Sequence, residues 1–337
     1  MKIVAGSPNG RVSNVLEIRD LNVRIATRRG TVRAVDGVSF EVPRGEAMGI
    51  VGESGSGKSM TLRAILGVLP PGAKITGGQV LLDGQDLASL SKKQLDAIRG
   101  PKLAMIFQEP MSALNPVMRV GWQIAEGPRL HFGFSKGKAK ERALELMRRV
   151  GIPDPERRFG AYPHEFSGGM RQRVMIAIAL SCDPEVILCD EPTTALDVTI
   201  QDQILRLLAR LCRQSGVSLV FVTHDLPVVA QVCQHLSVMY GGQLVERGDV
   251  RDVLTAPRHP YTVGLVRSAP DFEDIQESLV PIPGSPPSLI APPPGCRFQP
   301  RCGYAEDDCA AGEIPLRPLP GGRSTACLHH EQLAVRA

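Results

Sequence analysis

Gly52-Glu53-Ser54-Gly55-Ser56-Gly57-Lys58-Ser59 places glycines, a lysine and a hydroxyl in the spacing G-x-x-x-x-G-K-[ST]. This pattern suits one task, cradling the phosphates of a nucleotide. Glycines let successive backbone N–H groups converge on the oxygens, and the helix that follows adds its positive dipole end. Lys58 is expected to reach the β- and γ-phosphates, and the Ser59 hydroxyl to sit on Mg²⁺, with Met60 completing the ATP-binding stretch. A second set closes the run Val186-Ile187-Leu188-Cys189-Asp190-Glu191, four apolar residues followed by two acids. Asp190 is placed for the magnesium shell and Glu191 to polarise an attacking water as general base.

The elements around these residues agree with that chemistry. Ala47 to Val51 reads as a short buried strand before the glycine loop, and a helix is expected from about Lys58 to Leu69. Glu185 to Cys189 and Ser218 to Val222 read as two more strands, the latter ending at Thr223-His224-Asp225. Open α/β sheets place ligands at such strand ends. Lys136 to Val150 has the periodicity of an amphipathic helix, within a helical subdomain expected at about 109–165. Ser237 to Gly248 reads as a hairpin turning at Gly241-Gly242.

Net charge is +4 over 337 residues, too little to favour nucleic acid as a partner. The most apolar runs, Val174 to Cys182 and Val217 to Thr223, fall far short of the ~20 residues needed to span a bilayer. Met1 to Asn14 lacks the apolar centre of an export signal. Any membrane role is therefore expected to be peripheral, and disulfides are not the default for the eight cysteines. No long internal repeat is present, so one cassette is expected and not a fused pair.

Further motifs, in order along the chain, make this sequence resemble the nucleotide-binding domain of ABC transporters. Phe107-Gln108-Glu109 resembles the Q-loop, Phe166-Ser167-Gly168-Gly169-Met170-Arg171-Gln172 the signature motif, Thr194-Ala195-Leu196-Asp197 the D-loop and His224 the switch histidine. The resemblance implies a P-loop NTPase fold with a mostly parallel core sheet, an antiparallel β subdomain and a helical subdomain. It implies Gln108, Glu191 and His224 as catalytic residues, with Gln108 also near Mg²⁺. Two cassettes would close head to tail, so that Ser167, Gly168, Gly169 and Met170 serve the partner's ATP. The aromatic ring that usually stacks on adenine is missing from Arg24 to Val32, which leaves Ile25 or Val32 to pack the base.

The stretch Gln108-Glu109-Pro110-Met111-Ser112-Ala113-Leu114-Asn115-Pro116 and His259-Pro260-Tyr261-Thr262 are similar to ATPase subunits of oligopeptide and dipeptide importers and their nickel-importing relatives. That similarity implies a location on the cytoplasmic side of the membrane, docked on two permease subunits. It also implies a second homologous ATPase and an extracytoplasmic binding protein. The domains expected are a tail at 1–13, the cassette at 14–257 and an extension at 258–337.

In that extension prolines crowd Pro270 to Pro294, so little regular structure is expected. Cys296, Cys302, Cys309 and Cys327 follow, with no obvious core of their own. Four thiolates suit either Zn²⁺ or a [4Fe–4S] cluster, and the spacing favours neither. Resemblance to the importer ATPases implies [4Fe–4S], with Arg297 and Arg301 offsetting its charge and the cluster acting as a staple.

Overall fold

The structure is a computed structural model that describes residues 13–194, 196–269 and 281–333, so the expected tail at 1–13 lies almost entirely outside it. Twelve strands in the described residues form two sheets. They are β1 (Asn14–Thr27), β2 (Gly30–Pro43), β3 (Ala47–Val51), β4 (Ala73–Leu82), β5 (Gln85–Asp86), β6 (Leu103–Ile106), β7 (Val186–Asp190), β8 (Ser218–Thr223), β9 (His235–Tyr240), β10 (Gln243–Asp249), β11 (Arg317–Leu319) and β12 (Arg323–Thr325).

The larger sheet runs β11-β12-β10-β9-β3-β8-β7-β6. Its centre is parallel, from β9 through β3, β8 and β7 to β6. Every residue of β3, β7 and β8 is buried. That is why these strands read as unbroken apolar runs: a parallel strand covered on both faces has no polar side. One cover is the antiparallel sheet β2-β1-β4-β5, whose Val23, Val35 and Phe40 share a core with Leu62 and Ile65 of the helix Lys58–Leu66. The other is helical, with Ile124, Leu146, Ile176 and Leu208 packed over Ile187, Leu219 and Phe221.

The helix after the glycine loop ends at Leu66, earlier than the periodicity implies. Gly67 caps it in a left-handed conformation, its N–H bonded to the Ala64 carbonyl. The amphipathic helix falls at Lys136–Arg149, started by Ser135 whose hydroxyl accepts from the Lys138 N–H. The hairpin forms as expected, β9 and β10 joined through Gly241-Gly242.

Residues 281–298 carry no helix or strand. Beyond them the extension does acquire a core, by borrowing one. Strand β12 pairs antiparallel with β10, Glu246 opposite Thr325 and Arg247 opposite Ser324, and β11 pairs with β12. Phe298 meets Tyr240 and Tyr261 at ring-centroid distances of 5.3 and 5.4 Å, and those two tyrosines lie 4.5 Å apart. Aromatic burial and sheet addition supply cohesion to the segment for which the family resemblance implied a metal staple.

Candidate functional site

The glycine loop leaves the carboxyl end of β3 and enters the helix Lys58–Leu66 through Gly57. Two of its glycines are obligatory. At Gly52 (φ 155°) an added Cβ would lie 2.1 Å from the Met239 carbonyl oxygen, and at Gly57 (φ 106°) one would lie 2.4 Å from the Ala34 carbonyl oxygen. The loop is thus pressed against β9 and β2, with no room for a side chain on that side. The Ser56 hydroxyl is buried and finds no protein partner among the described residues, a polar atom left for a ligand.

Lys58 Nζ donates to the Gly52 and Glu53 carbonyls at 2.6 and 3.0 Å. Burial lowers its pKa, against the pull of Glu191, Asp190 and Glu53. Ser59 Oγ donates to Asp190 Oδ1 at 2.6 Å. Asp190 is 3% exposed, and burial raises its pKa although the Ser59 bond works the other way. A buried carboxylate and a hydroxyl beside it offer two hard oxygen donors for a divalent cation, so Asp190 and Ser59 fit Mg²⁺.

Glu191 follows β7 with φ 45°, a left-handed conformation unusual for a residue bearing a side chain. Its N–H donates to the Val222 carbonyl at 2.9 Å, which ties it to β8. Its carboxylate lies 3.2 Å from His224 Nδ1 and accepts from Thr194 Oγ1 at 3.1 Å. Thr194 is a neighbour that the sequence did not single out for Glu191. The backbone turn aims the carboxylate back across the strand ends, where His224 stands one residue beyond β8. Lys58, Ser59, Asp190, Glu191 and His224 therefore converge from three adjacent strands, β3, β7 and β8.

Other expected residues sit apart from that group. Gln108 is exposed in the loop after β6. Ser167 caps the helix Gly168–Ala179, accepting from the Met170 N–H at 3.4 Å. Gly168 and Gly169 back onto Leu196 and Ile200, so the signature segment packs against the D-loop and its helix. Asp197 is the exposed residue that begins that helix, Val198–Ser215, while Ala195 lies outside the described residues. Ile25 and Val32 face each other across β1 and β2, both half-buried.

Sequence reasoning gave no signal for the holds on Glu53. Both oxygens of its carboxylate accept from Arg301, at 2.7 and 3.0 Å, and its N–H donates to Tyr261 Oη at 2.7 Å. Arg297 likewise pairs with Asp36. Burial works to raise the Asp36 pKa, but Arg24 and Arg297 hold it below its usual range. The two arginines thus neutralise carboxylates of the cassette, where the sequence had set them beside a cluster.

A glycine loop after a parallel strand, a buried Asp190 and half-buried Glu191 at the end of the neighbouring but one, and a histidine just past the strand between define an ATP-binding cassette of the ABC type. Comparison with known proteins agrees. The ABC transporter family model matches residues 35–194, and the model described as "Oligopeptide/dipeptide transporter, C-terminal region" matches residues 245–309. The chain is 50% identical over 292 residues to the dipeptide transport ATP-binding protein DppD of Bacillus subtilis (strain 168), covering 86% of this chain and 87% of that protein. It is 46% identical over 313 residues to DppD of Escherichia coli (strain K12), covering 93% and 96%. Among solved structures it is similar to the dimeric, post-hydrolysis ATP-binding cassette MJ0796 bound to ADP and Pi. That likeness has a TM-score of 0.63 and 28% identity, and covers 70% of this chain and 99% of that one. The chain belongs to the ATP-binding proteins of peptide-transporting ABC systems, and it is an ATPase of that class.

The iron–sulfur expectation is corrected by these comparisons. The relatives are described by peptide transport and ATP binding, with no iron–sulfur group. Cys296, Cys302, Cys309 and Cys327 do line one pocket, but its volume is about 10 Å³, room for about one water. Burial pushes the Cys327 thiol up to about 12 and raises Cys296 and Cys302 as well. The four cysteines are free thiols of the docked extension, Cys309 and Cys327 buried and Cys296 and Cys302 half-buried.

Proposed function

We propose that this chain hydrolyses ATP to energise a membrane importer of dipeptides or oligopeptides. The observation that carries the reading is the convergence of Lys58, Ser59, Asp190, Glu191 and His224 at adjacent strand ends, in a chain whose relatives are peptide-transport ATP-binding proteins.

In this reading the amides of Gly52, Glu53, Ser54, Gly55, Ser56 and Gly57, with Lys58, Ser59 and Met60, hold the triphosphate. Ser59 and Asp190, with Gln108 brought in from its loop, would hold Mg²⁺, which would supply neutralising charge to the phosphates. Glu191 accepts a proton from the water that attacks the γ-phosphorus, and the bond to the ADP oxygen breaks in line. His224, 3.2 Å from Glu191, is placed to steady the γ-phosphate and to keep that carboxylate aimed. Thr194 restrains the same carboxylate through the same oxygen, Oε2.

Ser167, Gly168, Gly169 and Met170 head a helix whose dipole and amides suit a phosphate. They serve the ATP of a second cassette, with Asp197 beside the same junction. Release of the shared anion lets the pair open and drives the transport cycle. The cassette spans residues 14–257 and the extension 258–337. Among the described residues no helix is long and apolar enough to cross a membrane. In the same reading, supported by the likeness to peptide-transport ATP-binding proteins, the chain works peripherally on the cytoplasmic face, with two permease subunits, a homologous ATPase and an extracytoplasmic peptide-binding protein.

The test is uptake by the assembled transporter in vesicles. Labelled dipeptide or oligopeptide should accumulate with ATP, and Lys58→Ala should abolish uptake while weakening nucleotide binding at least about tenfold. Hydrolysis without accumulation of any peptide would overturn the cargo, and unchanged nucleotide binding in Lys58→Ala would overturn the site.

A further inference from the structure

Glu53, the second residue of the nucleotide loop, is gripped from three sides. Its carbonyl accepts from Lys58 Nζ at 3.0 Å, its N–H donates to Tyr261 Oη, and its carboxylate takes both arms of the Arg301 fork. Two of these holds come from far along the chain, 208 and 248 residues away. The Arg301 side chain is 4% exposed. Its remaining N–H capacity goes to Tyr240 Oη at 3.2 Å and to the Ile282 and Pro283 carbonyls at 3.2 and 2.7 Å. The guanidinium also lies 5.8 Å from the ring centroids of Tyr240 and Phe298. Such a fork cannot swing away without stranding several buried donors, so it acts as a fixed support.

We infer that Arg301 is a positioning residue for ATP: by fixing Glu53 it sets the shape of the Gly52–Gly57 loop and the place of the Lys58 ammonium. Two physical effects point the same way. Lys58 Nζ bonds to the Gly52 and Glu53 carbonyls, two peptide oxygens whose orientation depends on where Glu53 is held. A carboxylate within the phosphate loop would repel a triphosphate, and the paired guanidinium cancels that charge. The C-terminal extension therefore tunes nucleotide affinity from behind the loop, without touching the reacting atoms. This rests on the ATPase reading above.

The test uses the full chain as wild type, Arg301→Ala, Arg301→Lys and Tyr261→Phe. Titration with magnesium and a non-hydrolysable ATP analogue gives Kd, thermal unfolding reports integrity, and the assembled transporter gives KM and kcat. For Arg301→Ala the expected result is a Kd and KM for nucleotide raised about tenfold, with kcat within about twofold. Arg301→Lys keeps the charge but not the fork, and should recover part of the loss, to about threefold. Tyr261→Phe removes the acceptor of the Glu53 N–H and should raise Kd by about threefold. A folded Arg301→Ala with unchanged Kd would overturn the inference, as would a loss confined to kcat. Should Arg301→Ala fail to fold, the other two variants decide, and unchanged nucleotide affinity in both would overturn it. Failure of the wild type to bind the nucleotide would instead sink the ATPase reading.

Discussion

Lys58, Asp190, Glu191 and His224 are delivered by the ends of adjacent parallel strands, whereas Arg297, Arg301 and Arg323 are delivered by a segment with little regular structure of its own. The first group can hold unfavourable features, a left-handed Glu191 and a buried Asp190, because the sheet beneath is close-packed and does not yield. The second group is held by long-range ion pairs whose partners all belong to the cassette: Asp36, Glu53 and Glu246. Damage to the strand ends should therefore remove chemistry and spare the fold. Damage to the extension should loosen the fold and leave the chemistry nearly intact.

The sharpest break is Glu191→Gln. It removes the proposed proton acceptor and keeps the glycine loop, so turnover should fall by about 10³-fold while ATP still binds. Phosphate release by the assembled transporter, beside nucleotide binding, checks this; full turnover would show that the base lies elsewhere. Next comes Arg323→Ala. The Glu246 carboxylate is fully buried and accepts from Arg323 at 2.9 Å and from the Arg258 and His259 N–H groups at 2.7 and 3.0 Å. Stripping the arginine leaves that carboxylate without its counter-charge, at a cost of about 3 kcal/mol in urea unfolding. Nucleotide affinity of the folded variant should change by less than about threefold.

A smaller effect comes from pH. His259 is 1% exposed, and its Nδ1 accepts from the Tyr261 N–H at 3.1 Å. Burial pulls its pKa down to about 3 from the usual 6.5. The unfolded chain therefore binds the proton first, and stability present above pH 6.5 is lost as pH falls from 6.5 toward 3. At pH 5 the loss from this group is about 2 kcal/mol. Urea unfolding at pH 7.5 and pH 5, wild type against His259→Asn, reads it out, since the variant should lose the part of the pH slope that belongs to His259. An identical slope in both would remove His259 from the account.

Much of the nucleotide face was legible because each motif is contiguous and its neighbours along the chain place it. An apolar run with no polar alternation announces a strand buried on both faces, and a glycine pattern between such a strand and a helix announces a phosphate loop. Even so, the pairing of Glu191 with His224 and Thr194 was not written in any spacing. It follows from the order β3-β8-β7, which brings residues 191 and 224 to neighbouring strand ends.

The extension was read least well. Its cysteines drew attention as a chemical set, while the arginines between them do the docking. A guanidinium gives no sign in sequence of which carboxylate it will meet, and Arg301 meets one 248 residues away. The central strands and the phosphate loop were determined locally, by apolar runs and by glycine's tolerance of conformations that other residues resist, whereas the order of those strands in the sheet was not. Which charges pair, and hence how the last eighty or so residues lean on the loop, was decided only by tertiary structure. Coulombic partners are chosen by proximity in space, and burial sets how strongly each pairing counts.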